Sequence, residues 1–153
     1  MTSISYETIF SRSRLKMNDL RELMTLSNND LTEINVERLH SVISDVRIQY
    51  VFSEFEMDDD IQTIKFELNN PNKTFFDKEF VIDILALGMV ITWLRPQVEN
   101  HEYVAMMIGG KEEKSLNNQY SKIKERLEQL ETKQYKLLRD RGYLYNDYLK
   151  EES

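Results

Sequence analysis

The chain has no cysteine in its 153 residues, which excludes disulfide bridges and thiolate metal sites. It has only four glycines and two prolines, so neither collagen-like nor low-complexity regions are expected. The first ten residues lack the apolar centre of a signal peptide, and we therefore expect no secretory signal. With 41% hydrophobic residues, residues 1–153 have enough apolar side chains for a single domain with its own core.

Residues with chemical reactivity are scarce as well. The two histidines, His40 and His101, lie far apart in the chain, and no glycine-rich phosphate loop or Gly-x-Ser-x-Gly motif is present. Asp58, Asp59 and Asp60 place three carboxylates together, but this run lacks the spaced oxygen ligands and the glycine of a calcium loop. We therefore predict a protein that is not an enzyme and that uses no cofactor and no metal.

The charge of the chain is negative and unevenly distributed. A net charge of -7 argues against general nucleic-acid binding. Residues 17–60 carry eleven acids and three bases, whereas residues 111–141 carry nine bases and six acids. This polarity suits head-to-tail packing of identical copies, or it marks two solvated surfaces.

One apolar segment predicts the centre of the fold. In residues 78–94, KEFVIDILALGMVITWL, twelve of seventeen residues are apolar, and a helix that is apolar nearly all round is buried on several sides. A bilayer span needs about 20 apolar residues, so this segment is too short to be one. We predict a helix from about 77 to 95 that kinks or stops at Pro96, with Ile84, Leu87, Val90 and Trp93 in the core.

A short β insertion is predicted before this helix. Apolar and polar residues alternate through Ile64, Phe66 and Leu68, which indicates a strand over 61–68. We expect residues 54–60 to form an acidic turn and residues 46–52 to pair across it. Because a two-stranded piece leaves an edge free to pair with another chain, we predict an interaction surface at this insertion. Its proposed members, facing a basic partner or lining a passage for DNA, are Asp58, Asp59, Asp60 and Phe66.

The C-terminal region predicts a long helix that ends at Gly142. Apolar residues recur with a heptad period from Leu116 to Leu137, which indicates packing against the chain's own core or a coiled coil. Arginine and tyrosine are enriched at protein interfaces, and the helix end is rich in both. We predict an interface at Arg139, Arg141, Tyr143, Tyr145 and Tyr148, with a tail folded onto its own core as the alternative.

The N-terminal region predicts shorter helices. Residues 5–26 indicate two of them, the first capped by Ser5. The bases Arg12, Arg14 and Lys16 are expected between the two, either in a solvated turn or in an arm that reaches a neighbouring subunit. A third helix is expected over 32–45. The predicted fold is mainly α: a helical bundle with one long central helix, a long heptad-patterned C-terminal helix and a small β-strand or hairpin insertion.

Three segments together resemble a known group of proteins. DKEFVIDILALGMVITWLRPQV, then IGGKEEK, and then the helix that ends in LLRDRGYLYNDYL look like small proteins encoded among the virion genes of tailed phages and prophages of Gram-positive bacteria. The resemblance covers residues 75–150 well and the first half weakly. Members of that group are similar in size and gene setting to neck proteins, which are adaptors, stoppers and completion proteins that join the portal to the tail.

The resemblance implies a head–tail connector located in the neck or tail region of the virion, and in the host cytoplasm during assembly. It implies a ring of about twelve copies, in which many weak contacts act together. The implied partners are the portal and the neighbouring neck or tail proteins, with genomic DNA only as passing cargo and no membrane. Two alternatives stay open: a tail or baseplate component, and a helical regulatory or nucleic-acid-binding protein that acts through its basic C-terminal helix.

Overall fold

A computed structural model of the protein describes residues 1–17, 21–107 and 111–144. Helices dominate the described residues and a small antiparallel sheet joins them, which confirms the predicted mainly α fold with a small β insertion. The elements in chain order are β1 (Thr2–Ser5), α1 (Tyr6–Lys16), α2 (Arg21–Thr25), α3 (Asn28–Ile43), α4 (Val46–Gln49), β2 (Phe52–Asp58), β3 (Thr63–Leu68), α5 (Thr74–Met107) and α6 (Lys111–Leu144).

Helix α5 is the centre of the core. It packs against α1, α3, β1 and α6, so its apolar side chains find neighbours on several sides. All four predicted core residues are buried, and Trp93, at 8% exposed, is the most accessible of them; the others are Ile84, Leu87 and Val90. Burying one such side chain stabilises a fold by about 1.5–3 kcal/mol.

Helix α5 is longer than the predicted segment and is long enough to span a membrane. Within the described residues, the segment Thr74–Asn100 alone is long and apolar enough to cross a membrane by length and composition, so the expected shortness was wrong. However, 61% of its most apolar window is buried inside the protein. Burial by neighbouring elements is what a core helix of a globular domain shows.

The sheet has three strands in the order β1-β3-β2, and both pairings are antiparallel. The apolar residues of β3 alternate as predicted, and Ile64, Phe66 and Leu68 are all buried in the core. Because β1 and β2 both pair with β3, the prediction that this strand leaves an edge free was wrong. The free edges belong to β1 and β2 instead.

The strand that pairs with β3 also differs from the prediction. Residues 46–49 form the short helix α4, whose Asp45 side chain accepts a hydrogen bond from the backbone N–H of Arg47 (2.9 Å). The pairing strand β2 starts only at Phe52 and takes up most of the predicted acidic turn. The turn itself is therefore shorter, and it lies between Asp58 and Thr63.

Two predicted helix ends lie inside longer helices. Helix α5 does not stop at Pro96 but continues to Met107, and the proline is exposed; the alternative, a kink at Pro96, stays a prediction. Helix α6 continues through Gly142, where a Cβ would meet nothing within 4 Å. Each residue weakens a helix locally, but neither forces it to end where the flanking turns are stabilised.

The N-terminal helices begin at side-chain caps. Ser5 caps α1 as predicted, with its hydroxyl accepting from the backbone N–H of Thr8 (3.4 Å). Helix α3 begins at Asn28 and not at 32, because Ser27 accepts from the N–H of Asp30 (3.2 Å). A side-chain oxygen at this position satisfies an otherwise unpaired donor of the first turn.

Helix α6 packs along α5 in the opposite direction. The Gln134 amide donates to the carbonyl of Ile84 (3.2 Å), and Arg95 pairs with Glu131 (3.4 Å). Ile123, Leu127 and Leu130 of the heptad seam pack against Val90, Trp93 and Leu94 of α5. Of the two predicted possibilities for the heptad pattern, packing against the chain's own core is the one that the structure has.

Candidate functional site

A hydrogen-bonded cluster holds the acidic turn against the helices. The Tyr6 hydroxyl donates to Asp59 Oδ1 (2.5 Å), and His40 Nε2 lies 2.9 Å from Asp59 Oδ2. Tyr6 is the first residue of α1, His40 lies near the end of α3, and Asp59 follows β2. The three residues therefore join the turn to two helices that are distant in sequence.

The electrostatics of this cluster fix the roles of its two acidic groups. Burial raises the pKa of Tyr6, and the hydrogen bond to the Asp59 carboxylate raises it further. The hydrogen bonds from Tyr6 and His40 lower the pKa of Asp59. At neutral pH the phenol is thus a neutral donor and Asp59 an ionised acceptor, which is a charge-assisted pairing.

The tip of the turn is ordered by its own side chains and still faces solvent. Asp58 Oδ1 accepts from the backbone N–H groups of Asp60 (3.0 Å) and Ile61 (3.4 Å). Gln62 has a φ of 51°, in the left-handed region where side chains such as glutamine are uncommon. Asp60 and Ile61 are exposed, beside an open hollow of about 390 Å³ that Glu56 and other residues of the hairpin line.

The chemistry available at the turn is limited. Both carboxylate oxygens of Asp59 already accept from Tyr6 or His40. Over the described part of the chain, no group of three or more His, Asp or Glu side chains is placed to hold a metal ion. The hydrogen bonds anchor the acidic turn to the helices and leave its tip exposed to solvent. The sequence carries no signal of the pairing between His40 and Asp59, since no fixed spacing connects the two residues.

Arg141 was predicted as an interface residue and is instead an internal anchor. Its guanidinium donates to Asp77 Oδ1 (2.7 Å) and to the Asn70 carbonyl (2.9 Å), and it lies 4.9 Å from the centre of the Phe80 ring. The two charged side chains are only 9% and 8% exposed. Arg141 is buried because it pairs with Asp77 and so joins the end of α6 to the start of α5.

The other predicted interface residues have different positions. Arg139 is 57% exposed and pairs with its neighbour Asp140 (3.2 Å). Phe66 is 1% exposed and belongs to the core, so its assignment to an interface was wrong; β3 is the central strand and Phe66 faces the helices. Tyr143 lies in the last turn of α6, and Tyr145 and Tyr148 lie outside the described residues.

A second ion-pair cluster was missed in the N-terminal region. Arg12 lies on α1 and donates to Glu79 (2.7 Å) and Asp83 (2.9 Å) of α5. The hydrogen bond that Arg12 donates to Glu79 is the main cause that raises the pKa of Arg12. Asp83 was the available signal, because an acid in the middle of a buried helix needs a cationic or hydrogen-bonding partner.

Comparison with known proteins adds no relative. No protein-family model, no curated protein and no solved structure matches the chain.

Proposed function

We propose that the chain is a structural virion protein, a head–tail connector that joins the portal to the tail of a tailed phage. The resemblance of residues 75–150 to neck-associated proteins supports this function. One structural observation carries it further: the buried pair between Asp77 and Arg141 connects the segment that starts DKEF with the segment that contains LLRDRGY. Two of the three segments that carry the resemblance are therefore joined directly by a buried ion pair.

The proposed activity is assembly and not catalysis. Helices α5 and α6 have 34 residues each, a length of roughly 50 Å at about 1.5 Å per residue. Such a pair supports contacts with the portal at one side and with the next neck or tail protein at the other. A ring of about twelve copies would turn weak single contacts into a stable joint.

The proposal places the protein in the neck or tail region of the virion, and in the host cytoplasm during assembly. Genomic DNA passes as cargo without being a specific ligand. A cofactor, a metal and a membrane have no role in it.

The test is a mass measurement of the purified protein, first alone and then with the portal encoded beside its gene. We expect a complex whose mass corresponds to a ring of copies on the portal. Arg141→Met should weaken that complex, because the unit that presents the contacts is no longer fixed. If the protein forms a complex neither with the portal nor with any protein of the neighbouring genes, the connector function is refuted.

The sequence alternatives predict different results. Nucleic-acid binding has one structural observation in its favour, since Lys122, Lys124, Lys133 and Lys136 of α6 are all exposed. Such binding would weaken steeply with added salt, because phosphate contacts release counterions. A tail or baseplate component would bind the products of tail genes and not the portal.

A further inference from the structure

Three large aromatic side chains are exposed, two at the start of α5 and one directly after α4. Tyr50 is 75% exposed, Phe75 is 67% exposed and Phe76 is 51% exposed. The two phenylalanine rings contact each other edge to face, with their centres 5.7 Å apart. Adjacent exposed aromatic side chains of this size are typical of a surface that binds another protein.

Hydrogen bonds connect the segments that contain these three residues, which we name the aromatic end (Tyr50, Phe75 and Phe76). The Asn69 side chain donates to the carbonyl of Tyr50, and the next residue, Asn70, accepts from Arg141. Asp77, directly after the phenylalanines, also accepts from the N–H of Asn72. The aromatic end is therefore preorganised, and docking would require little additional ordering.

Cations are exposed around the aromatic end. Arg47 and Arg139 are each 57% exposed, and each is paired with the acid beside it, Asp45 and Asp140. Lys73 and Lys78, on either side of the phenylalanines, are exposed as well. A partner for this surface should thus have an apolar centre with a rim of carboxylates.

The protein itself has an exposed apolar residue with carboxylates around it, at the opposite end of its sheet. Strand β2 runs from Phe52, opposite Leu68, to Asp58, opposite Thr63, a distance of about 20 Å at about 3.3 Å per residue. There the exposed Ile61 lies among Asp58 and Asp60, beside the open hollow. We name this surface the hairpin tip (Glu56, Asp58, Asp60 and Ile61).

We propose that the protein associates with itself head to tail, with the aromatic end of one copy docked on the hairpin tip of the next. Ile61 then contacts the phenylalanine rings, and the cations face the carboxylates of the tip. Two different surfaces in contact form a heterologous interface, which extends to a closed ring or to a filament. The inference rests on the proposed assembly function and names the contact between copies.

The experiment uses two variants of the purified full chain, each with one surface broken. Phe75→Ser/Phe76→Ser removes the aromatic end, and Asp60→Lys/Ile61→Lys removes the hairpin tip. Tyr135→Ser is the matched control, because Tyr135 is also 51% exposed but lies on α6. All of these side chains are exposed, so circular dichroism should show an unchanged fold. Sedimentation velocity over a range of concentrations then measures association.

We expect the wild type and the control to associate as the concentration rises, and less strongly as salt is added. Each surface variant alone should associate about tenfold or more weakly, as for the loss of an aromatic anchor. A mixture of the two variants should form dimers and nothing larger, because one intact aromatic end meets one intact tip.

Three results would overturn the inference: a wild type that is monomeric at every concentration, association that survives both variants, or a mixture that does not pair. None of them depends on the portal. A connector that assembles only on the portal would still form the complex described above, so the two proposals fail separately.

Discussion

Helices α5 and α6 have the same length, 34 residues each, but opposite relations to the core. Neighbours cover α5 on several sides along its apolar segment, whereas α6 contributes one face and leaves the other in solvent. Polar side chains are few in the apolar segment of α5, residues 78–94, where Asp83 pairs with Arg12, and Asp77 just before it pairs with Arg141. The stability of the fold should therefore depend on α5 at most positions of its apolar segment, and on α6 mainly along its seam and at Arg141.

The largest loss of stability is expected at the buried ion pair that joins the two helices. Arg141→Met removes the cationic partner of Asp77, whose side chain is only 8% exposed, and breaking a buried ion pair from one side costs about 3–5 kcal/mol. Chemical denaturation measures the change in the free energy of unfolding. Arg139→Met, on the exposed side of the same helix end, should change it by less than about 0.5 kcal/mol. Equal effects of the two variants would contradict the anchoring role of Arg141.

The next effect concerns the buried face of α5. Leu87 is 1% exposed, and Leu87→Ala should cost about 2–5 kcal/mol through lost burial and the cavity that remains. Leu127→Ala, at a partly exposed seam position of α6, should cost less. Urea denaturation of both variants checks the order. A loss below about 1 kcal/mol at Leu87 would mean that α5 is not the core helix.

Replacing a glycine by alanine should have opposite effects on stability in the two helices. A Cβ at Gly88 would lie 2.6 Å from Val42 Cγ1, so Gly88→Ala overpacks the contact with α3 and should cost about 1–2 kcal/mol, after the gain in helix propensity. A Cβ at Gly142 meets nothing within 4 Å. Gly142→Ala should instead stabilise the protein by up to about 1 kcal/mol.

Thermal denaturation of both glycine variants gives the signs. Val42→Ala combined with Gly88→Ala should recover part of the loss, because the two sites are in contact and their effects are not additive. A stabilising Gly88→Ala would show that α3 and α5 can move apart at no cost.

The smallest expected effect on stability is at Asp59 in the acidic turn, which lies outside both long helices. The pKa of Asp59 is lower in the folded protein than in the unfolded chain. Its stabilising contribution is therefore fully present above the unfolded pKa, about 3.9, and is lost as the pH falls through the folded value. Asp59→Asn removes this dependence. Melting temperatures between neutral pH and about pH 2 should fall less steeply for the variant, and identical slopes would contradict the pairing.

Much of the fold follows from local pattern. The all-round apolar segment of α5 predicted its burial, the heptad period of α6 predicted one packed face, and the alternation of Ile64, Phe66 and Leu68 predicted a half-buried strand. These predictions succeed because periodicity records on which sides a residue loses contact with water. The pattern lies within one helix or strand, so it can be found without knowing which distant residues pack against it.

The partners of the polar groups were decided only by the tertiary structure. Strand β1 is four residues long, too short for a pattern of its own, and it exists because β3 offers an edge to pair with. Asp59 meets Tyr6 across 53 residues, and Asp77 meets Arg141 across 64. A single acid or tyrosine carries no periodic signal of where its partner lies. The sequence thus determined which surfaces are buried, and the packing of the helices determined which charges meet, because charge pairing depends on distances in space that local spacing does not encode.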